Sequence, residues 1–169
     1  ITPQELIDFE TNVKNLYEEG KIRGPIHLAS NNENEVIEIF KYIDKNDWVF
    51  AAWRNHYQAL CHGVDSEKLL NSIVAGHSMG TNNLEPNFYA SSIVGGIIPL
   101  ALGAALALKR KKSKNKVWCF IGDMTYETGG FHECYKYAKN FDLPLVWVLE
   151  DNDMSVHTPT DLAWGKRQE

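Results

Sequence analysis

The sequence predicts an α/β fold, a mostly parallel sheet flanked by helices, on three observations. Two apolar, β-rich runs at 117–121 (VWCFI) and 145–149 (LVWVL) flank a helical segment at 128–141, the pattern of a strand–helix–strand unit. Such a unit holds its strands parallel, so both finish at the same edge of the sheet. A third apolar run, 48–52 (WVFAA), stands earlier in the chain and reads as a short buried strand. The run at 48–52 ends at Trp53-Arg54-Asn55-His56, and the other two end on oxygen-bearing side chains, Asp123 after 117–121 and Asp151 and Asn152 after 145–149. Outside the carboxyl ends of the strands is where open α/β sheets bind ligands.

Taken in order, residues 2–19 carry Leu6, Phe9, Val13, Leu16 and Tyr17 at helical spacing, with acidic residues near the start and Gly20 as a C-terminal stop. A turn at Gly24 and Pro25 leads to a second helix over 32–43, with Val36, Ile37, Ile39, Phe40 and Ile43 on its apolar side. After the strand at 48–52, residues 66–75 read as a short helix and 76–89, rich in Gly, Asn and Pro, as a loop. Ile97–Arg110 reads as a buried helix. The uncharged stretch around it, 93–108, is shorter than the roughly 20 residues of a bilayer span and contains Pro99. Its Gly and Ala residues suit close packing against another helix, within the fold or across a subunit contact. The basic run at 109–116 (KRKKSKNK) is expected to be a solvated loop favoured by the helix dipole. Residues 155–169 are polar and show no periodicity.

A chain of 169 residues is long enough for one domain with a real core, and a single domain over 1–169 is expected. Hydrophobic content of 44% and charged content of 23% are those of an ordinary soluble globular protein. A net charge of −5 argues against nucleic-acid binding, which draws on a basic excess. Cys61, Cys119 and Cys134 are odd in number and form no CxxC pair, so a disulfide framework is not expected and a reducing compartment fits. With neither a signal peptide nor a membrane span read, the expected location is the cytoplasm.

The strand ends carry the chemistry. Asp123 and Asn152, on adjacent parallel strands, converge at one edge, and a carboxylate with an amide oxygen suits a hard divalent cation such as Mg²⁺. Arg54 at the neighbouring strand end offers forked donors for phosphate oxygens. The pattern alone leaves blander roles open: Asp123 as a turn or helix-capping residue, Arg54 as one half of a surface ion pair.

The residues also resemble a known family, the alpha subunits of the thiamine-diphosphate-dependent, decarboxylating component of 2-oxo acid dehydrogenase complexes, of pyruvate, branched-chain or acetoin type. The opening FETNVKNLYEEGKIRGPIHL resembles the family's first helix and its GKIRG-x-x-HL turn, and Asn32-Glu33 stands where it has Gln-Glu. Trp53-Arg54-Asn55-His56 is similar to its Tyr-Arg-x-His, Ser78-Met79 to the Ser-Met of its glycine-rich loop, and 87–99 to its NFxGG-x-IVG-x-x-P segment. Gly122-Asp123-Met124, Glu133, Leu143-Pro144 and Glu150-Asp151-Asn152 follow, without gaps, the family order GDG, Glu, Leu-Pro, ENN.

The resemblance implies a thiamine-diphosphate-binding fold that anchors the diphosphate. Asp123, Asn152 and the backbone carbonyl of Met154 would ligate Mg²⁺, and Arg54, with Trp53 beside it, would hold the diphosphate. Met124 and Thr125 would meet the diphosphate through backbone N–H groups, and Ser92 and Val94 would meet the aminopyrimidine through backbone atoms. His56 and His77 are the candidate catalytic histidines, and Glu133 is a structural hydrogen-bond partner. The substrate would be a small 2-oxo acid. A beta-type partner chain, in an α₂β₂-like assembly, would bring the carboxylate that activates the cofactor.

The chain departs from the pattern at several points. Met124 replaces the second Gly of GDG, Asp151 the first Asn of the pair, and Gly80 the His after Ser-Met, with His77 on the other side. Family alpha subunits extend well beyond the equivalent of Asn152, so the resemblance reads as lacking the C-terminal part. Two further readings stay open: a different thiamine-diphosphate reaction such as transketolase-like ketol transfer, and a non-catalytic binding or regulatory remnant.

Overall fold

The computed structural model describes residues 1–29, 31–83 and 85–166. The 76–89 loop reading and the 155–169 polar reading therefore each extend over positions that lie outside the described residues. Helix α1 (Pro3–Glu18) starts on a reciprocal cap, Thr2 accepting from the Glu5 amide while the Glu5 carboxylate accepts from the Thr2 amide. Helix α2 (Glu33–Phe40) is shorter than its apolar pattern suggests, because the chain turns at Lys41 and Ile43 packs from a non-helical segment. Strand β1 (Trp48–Ala51) runs into helix α3 (His56–Cys61), too short at 6 residues to show a periodicity of its own. Helix α4 (Ser66–Val74) is capped by the Asp65 carboxylate.

The stretch expected to be only loop contributes two strands, β2 (Asn82–Asn83) and β3 (Phe88–Ala90). Helix α5 (Ile97–Arg110) and strand β4 (Val117–Gly122) follow as expected. The short helix α6 (Asp123–Tyr126) then starts directly at the strand end, ahead of α7 (Gly129–Asn140) and β5 (Leu145–Glu150). The polar tail is also structured: β6 (Met154–Ser155) and β7 (Thr158–Pro159) form a small antiparallel pair that leads into α8 (Thr160–Trp164).

Five strands make one sheet in the order β2-β3-β1-β4-β5, with β3, β1, β4 and β5 mutually parallel and only β2 antiparallel. The predicted α/β class with a mostly parallel sheet is thereby borne out. The chain leaves β1 on one side to form β3 and returns through α5 to place β4 on the other side. The carboxyl end of β1 therefore lies at the point where the direction of winding reverses, and a crevice opens there.

The sheet is covered on both faces, as parallel sheets require. Trp118 and Phe120 of β4 point with Val49 and Ala51 into one core layer, against Val13, Leu69 and Ile73 from α1 and α4. Val117, Cys119 and Ile121 point the other way, with Phe50, against Ile98, Ala101 and Ala105 of α5 and Phe131 and Ala138 of α7. The alternation of β4 is hidden in the sequence because both faces are buried. Cys119 is completely enclosed, and burial pushes its thiol well above the ordinary range. Helix α5 is buried on one side only, since Leu100 remains 47% exposed while Ala101 and Ala105 are enclosed. Among the described residues no helix is long and apolar enough to cross a membrane.

The opposite edge of the sheet is fastened by Asp47, which is buried just ahead of β1. Its carboxylate accepts from the Lys116 amide at 2.7 Å and from the Trp118 indole at 2.9 Å, and its carbonyl lies 3.1 Å from His62 Nε2.

Candidate functional site

Register places the site. Ile121 pairs with Leu149 and Gly122 with Glu150, so the next residues, Asp123 and Asp151, leave the sheet side by side with Asn152 one step beyond. On the other flank of β4, β1 ends at Ala51, and Ala52, Trp53 and Arg54 follow at the same edge. Ala52, Trp53, Arg54, Asp123, Asp151 and Asn152 border one cavity of about 680 Å³, together with Met124, Thr125, Met154, Leu28 and Asn32.

Arg54 owes its direction to its neighbours. Its Nε donates to the Leu28 carbonyl at 3.1 Å. Asn55, fully buried, donates from its amide to the carbonyls of Trp53 and Ser78, at 3.0 and 2.9 Å. His56 is likewise fully buried, with Nδ1 3.0 Å from a Glu10 carboxylate oxygen and Nε2 3.0 Å from the Ser78 hydroxyl. A carboxylate only accepts, so Nδ1 carries a proton toward Glu10. Both ring nitrogens are thus occupied inside the protein, and His56 is not among the cavity-lining residues.

Gln58, one helical step on, donates to the Glu150 carboxylate at 2.7 Å and so ties α3 to the end of β5. Although its surface opens in part to the cavity, Glu150 is deeply set. Burial pushes its carboxyl up to about 7 against the opposing effects of the Gln58 hydrogen bond and the Arg54 guanidinium.

Asp123 is buried at the first position of α6, where it accepts from the Thr160 hydroxyl. Asn152 is exposed, and its amide oxygen accepts from the Met154 amide at 3.2 Å, an Asx turn that leaves a second lone pair on that oxygen. Asp151 closes a similar turn with the Asp153 amide. Asp123, Asn152 and Met154 all line the cavity, and a carboxylate, an amide oxygen and a backbone carbonyl are oxygen donors of the kind Mg²⁺ takes when phosphates and water complete its shell. Among the described residues no group of three or more His, Cys, Asp or Glu gathers as a metal cage. The cavity wall carries the carboxyls of Glu35, Asp123, Glu150 and Asp151 against the Arg54 guanidinium. A phosphate-bearing ligand fits such a lining when a divalent cation enters with it.

The remaining expected residues lie elsewhere. Ser92 and Val94 are exposed beyond the carboxyl end of β3, at the same sheet edge but outside the cavity lining. His77 is exposed on the loop after α4 and also outside the lining. Glu133 sits on α7, away from the cavity. Sequence reasoning missed Gln58, Glu150 as a wall residue, and Thr160. Glu150 had a legible signal, a carboxyl ending an apolar strand. Gln58 and Thr160 had none, since their roles depend on tertiary approach.

A family model described as Dehydrogenase E1 component matches residues 3–165. The chain belongs to that family. The resemblance read from its motifs is borne out. Among curated E1-type relatives, the alpha subunit of acetoin:2,6-dichlorophenolindophenol oxidoreductase from Bacillus subtilis (strain 168) is 31% identical over 169 residues, covering 94% of this chain and 51% of the relative. A probable mitochondrial pyruvate dehydrogenase E1 component subunit alpha from Caenorhabditis elegans is 32% identical over 160 residues, covering 90% of this chain and 40% of the relative. The pyruvate dehydrogenase E1 component subunit alpha of Porphyra purpurea is 29% identical, with 88% and 48% covered. The chain thus spans about half the length of these E1 relatives, or less. A solved structure from Mycobacterium smegmatis, described as a thiamin diphosphate-dependent enzyme, superposes with a TM-score of 0.52 at 16% identity over 78% of this chain and 24% of that one. That likeness speaks to the fold.

Proposed function

We propose that this E1-family chain is the thiamine-diphosphate- and Mg²⁺-binding, alpha-type portion of a 2-oxo acid dehydrogenase component, and that a beta-type chain completes its active site in an α₂β₂-like assembly. The observation that carries the reading is the meeting of Arg54, Asp123, Met124, Thr125, Asn152 and Met154 around one cavity at the carboxyl edge of a parallel sheet.

In this reading the chain anchors and neutralises. Asp123, Asn152 and the Met154 carbonyl hold the cation, and Arg54, directed by the Leu28 carbonyl, meets the diphosphate from the facing wall. The backbone amides of Met124 and Thr125, in the first turn of α6, lie on the same side as Asp123. Burial raises the Glu150 carboxyl to about 7, against the Gln58 hydrogen bond and the Arg54 charge that lower it. When bound, thiamine diphosphate supplies the electron sink that a 2-oxo acid needs to lose CO₂. Ser92, Val94 and His77 stand outside the cavity lining, and a role for them in this reading requires the far end of an extended cofactor or the partner chain to reach them.

Calorimetric titration of thiamine diphosphate with and without Mg²⁺ tests the proposal. Wild type is expected to bind only with the metal, and Asp123→Ala to lose at least tenfold in affinity. Absence of metal-dependent binding, with and without a beta-type chain, overturns it. Metal-dependent binding without decarboxylation of any 2-oxo acid in the reconstituted assembly favours a binding remnant.

A further inference from the structure

The segment after Asn152 returns to the site it leaves. Asn152 and Met154 start a loop whose β6–β7 pairing and Thr160 N–H to Asp153 carbonyl bond, 2.9 Å, bring the chain back over α6. At the return point Thr160 is 5% exposed, while its helix-mates Leu162 and Trp164 are 76% and 53% exposed. One residue of an otherwise solvated helix is therefore buried, and it is a hydroxyl whose partner is the Asp123 carboxylate, at Oδ2. Trp164 makes a second contact of the same kind, its indole N–H donating to Met124 Sδ at 2.9 Å. The strap thus touches two consecutive residues of the first turn of α6.

A carboxylate rotates about its last bond with little resistance, and a donor on one oxygen fixes its plane. We propose that Thr160 is a positioning residue for the cation site. By donating to Asp123 Oδ2 it restrains the carboxylate plane, so one loop both lines the cavity through Asn152 and Met154 and orients the carboxylate beside them. The inference rests on the thiamine diphosphate–Mg²⁺ reading above. It adds a residue that touches neither metal nor cofactor. Burial of the rest of α8 offers no other reason for Thr160 to be enclosed, because the helix presents its large apolar side chains to solvent.

The experiment is a thiamine diphosphate titration of the 169-residue chain at stepped Mg²⁺ concentrations, for wild type, Thr160→Val and Thr160→Ser, repeated with Mn²⁺ followed by electron paramagnetic resonance. It is run alone and, if a beta-type chain is required, in the complex. Thr160→Val keeps the shape and removes the donor. It is expected to raise the metal concentration for half-maximal binding about ten- to a hundredfold, the usual effect of losing a residue that orients a ligand, while affinity at saturating metal stays near wild type. Thr160→Ser keeps the donor and is expected to bind within about twofold of wild type. A merely structural defect lowers affinity at every metal concentration, so an equal loss at low and saturating metal overturns the inference. Wild-type metal dependence in Thr160→Val overturns it as well. Thr160→Ser as weak as Thr160→Val shows that packing, not the hydroxyl, matters, and it too overturns the inference. A wild type without metal-dependent binding takes down this inference together with the proposed function; the other outcomes leave that function standing.

Discussion

Ser78 sits behind Arg54 without touching the cavity, and its hydroxyl and carbonyl are both committed, to His56 and to Asn55. Replacing Ser78 with Ala strands His56 Nε2 in a fully buried position, which costs about 1–3 kcal/mol. Urea unfolding is expected to show that loss, with a weaker Arg54-dependent affinity for inorganic diphosphate beside it. His62 gives a pH dependence with a definite sign. Burial holds its ring below the ordinary imidazole value, against the hydrogen bond to the Asp47 carbonyl that raises it. His27 shifts the same way, through burial and the nearby Arg54 charge. Below about pH 6.5 the unfolded chain takes up protons that the folded chain resists. The stability is therefore fully present above that value and declines as the pH falls through the depressed folded value. Glu150, whose carboxyl burial raises to about 7, contributes with the opposite sign over the same range. The histidine part is therefore read as a difference: from pH 7.5 to 5.5 the urea midpoint of wild type is expected to fall relative to that of His62→Gln, which keeps a donor for the Asp47 carbonyl.

At the scale of elements, β4 and the α2 face it meets carry the fold. Phe120 is fully buried and stacks on Phe40, with ring centroids 5.6 Å apart. Phe120→Ala is expected to lose about 4 kcal/mol in urea unfolding, the cost of a large core truncation. Elements of this kind are the ones the sequence shows well: α1, α5, β4 and β5 all fall within a few residues of their expected ranges because length and apolar pattern agree. β3 was not legible, since its 3 residues, Phe88–Ala90, follow a Gly-, Asn- and Pro-rich stretch and gain strand character by pairing with Val49, Phe50 and Ala51 on one side and Asn82 and Asn83 on the other. The β6–β7 pair and α8 escaped for a related reason, as their bonds run to Asp123, Met124 and Asp153 rather than along a periodic face. In the site, Asp123, Asn152 and Arg54 were legible because each lies within three residues of a strand end. The enclosure of His56 was not, because Glu10 approaches from a helix 46 positions away in sequence. Gly24 shows the same limit. A Cβ there would stand 3.2 Å from the Gly76 carbonyl, a backbone crossing that no local pattern announces.

Across the whole molecule the sheet is uneven. β4 is paired on both sides and covered on both faces, while β5, among the described residues, pairs only with β4 and keeps Leu149 38% exposed. Hydrogen exchange is expected to be slowest in β1 and β4 and distinctly faster in the outward-facing amides of β5. Comparable exchange in β4 and β5 would contradict that ordering. The interior placement of Cys119 has a practical consequence of its own. Its thiol sits at the centre of the best-paired strand, while Cys61 is less deeply enclosed with its thiol pushed up to about 11. Burial keeps both thiols protonated well above neutral pH and so slows their alkylation, and Cys119, enclosed in the sheet, meets a reagent when the sheet itself opens. The chain carries its own clock: the rate at which Cys119 becomes labelled counts openings of the sheet, without any residue being introduced.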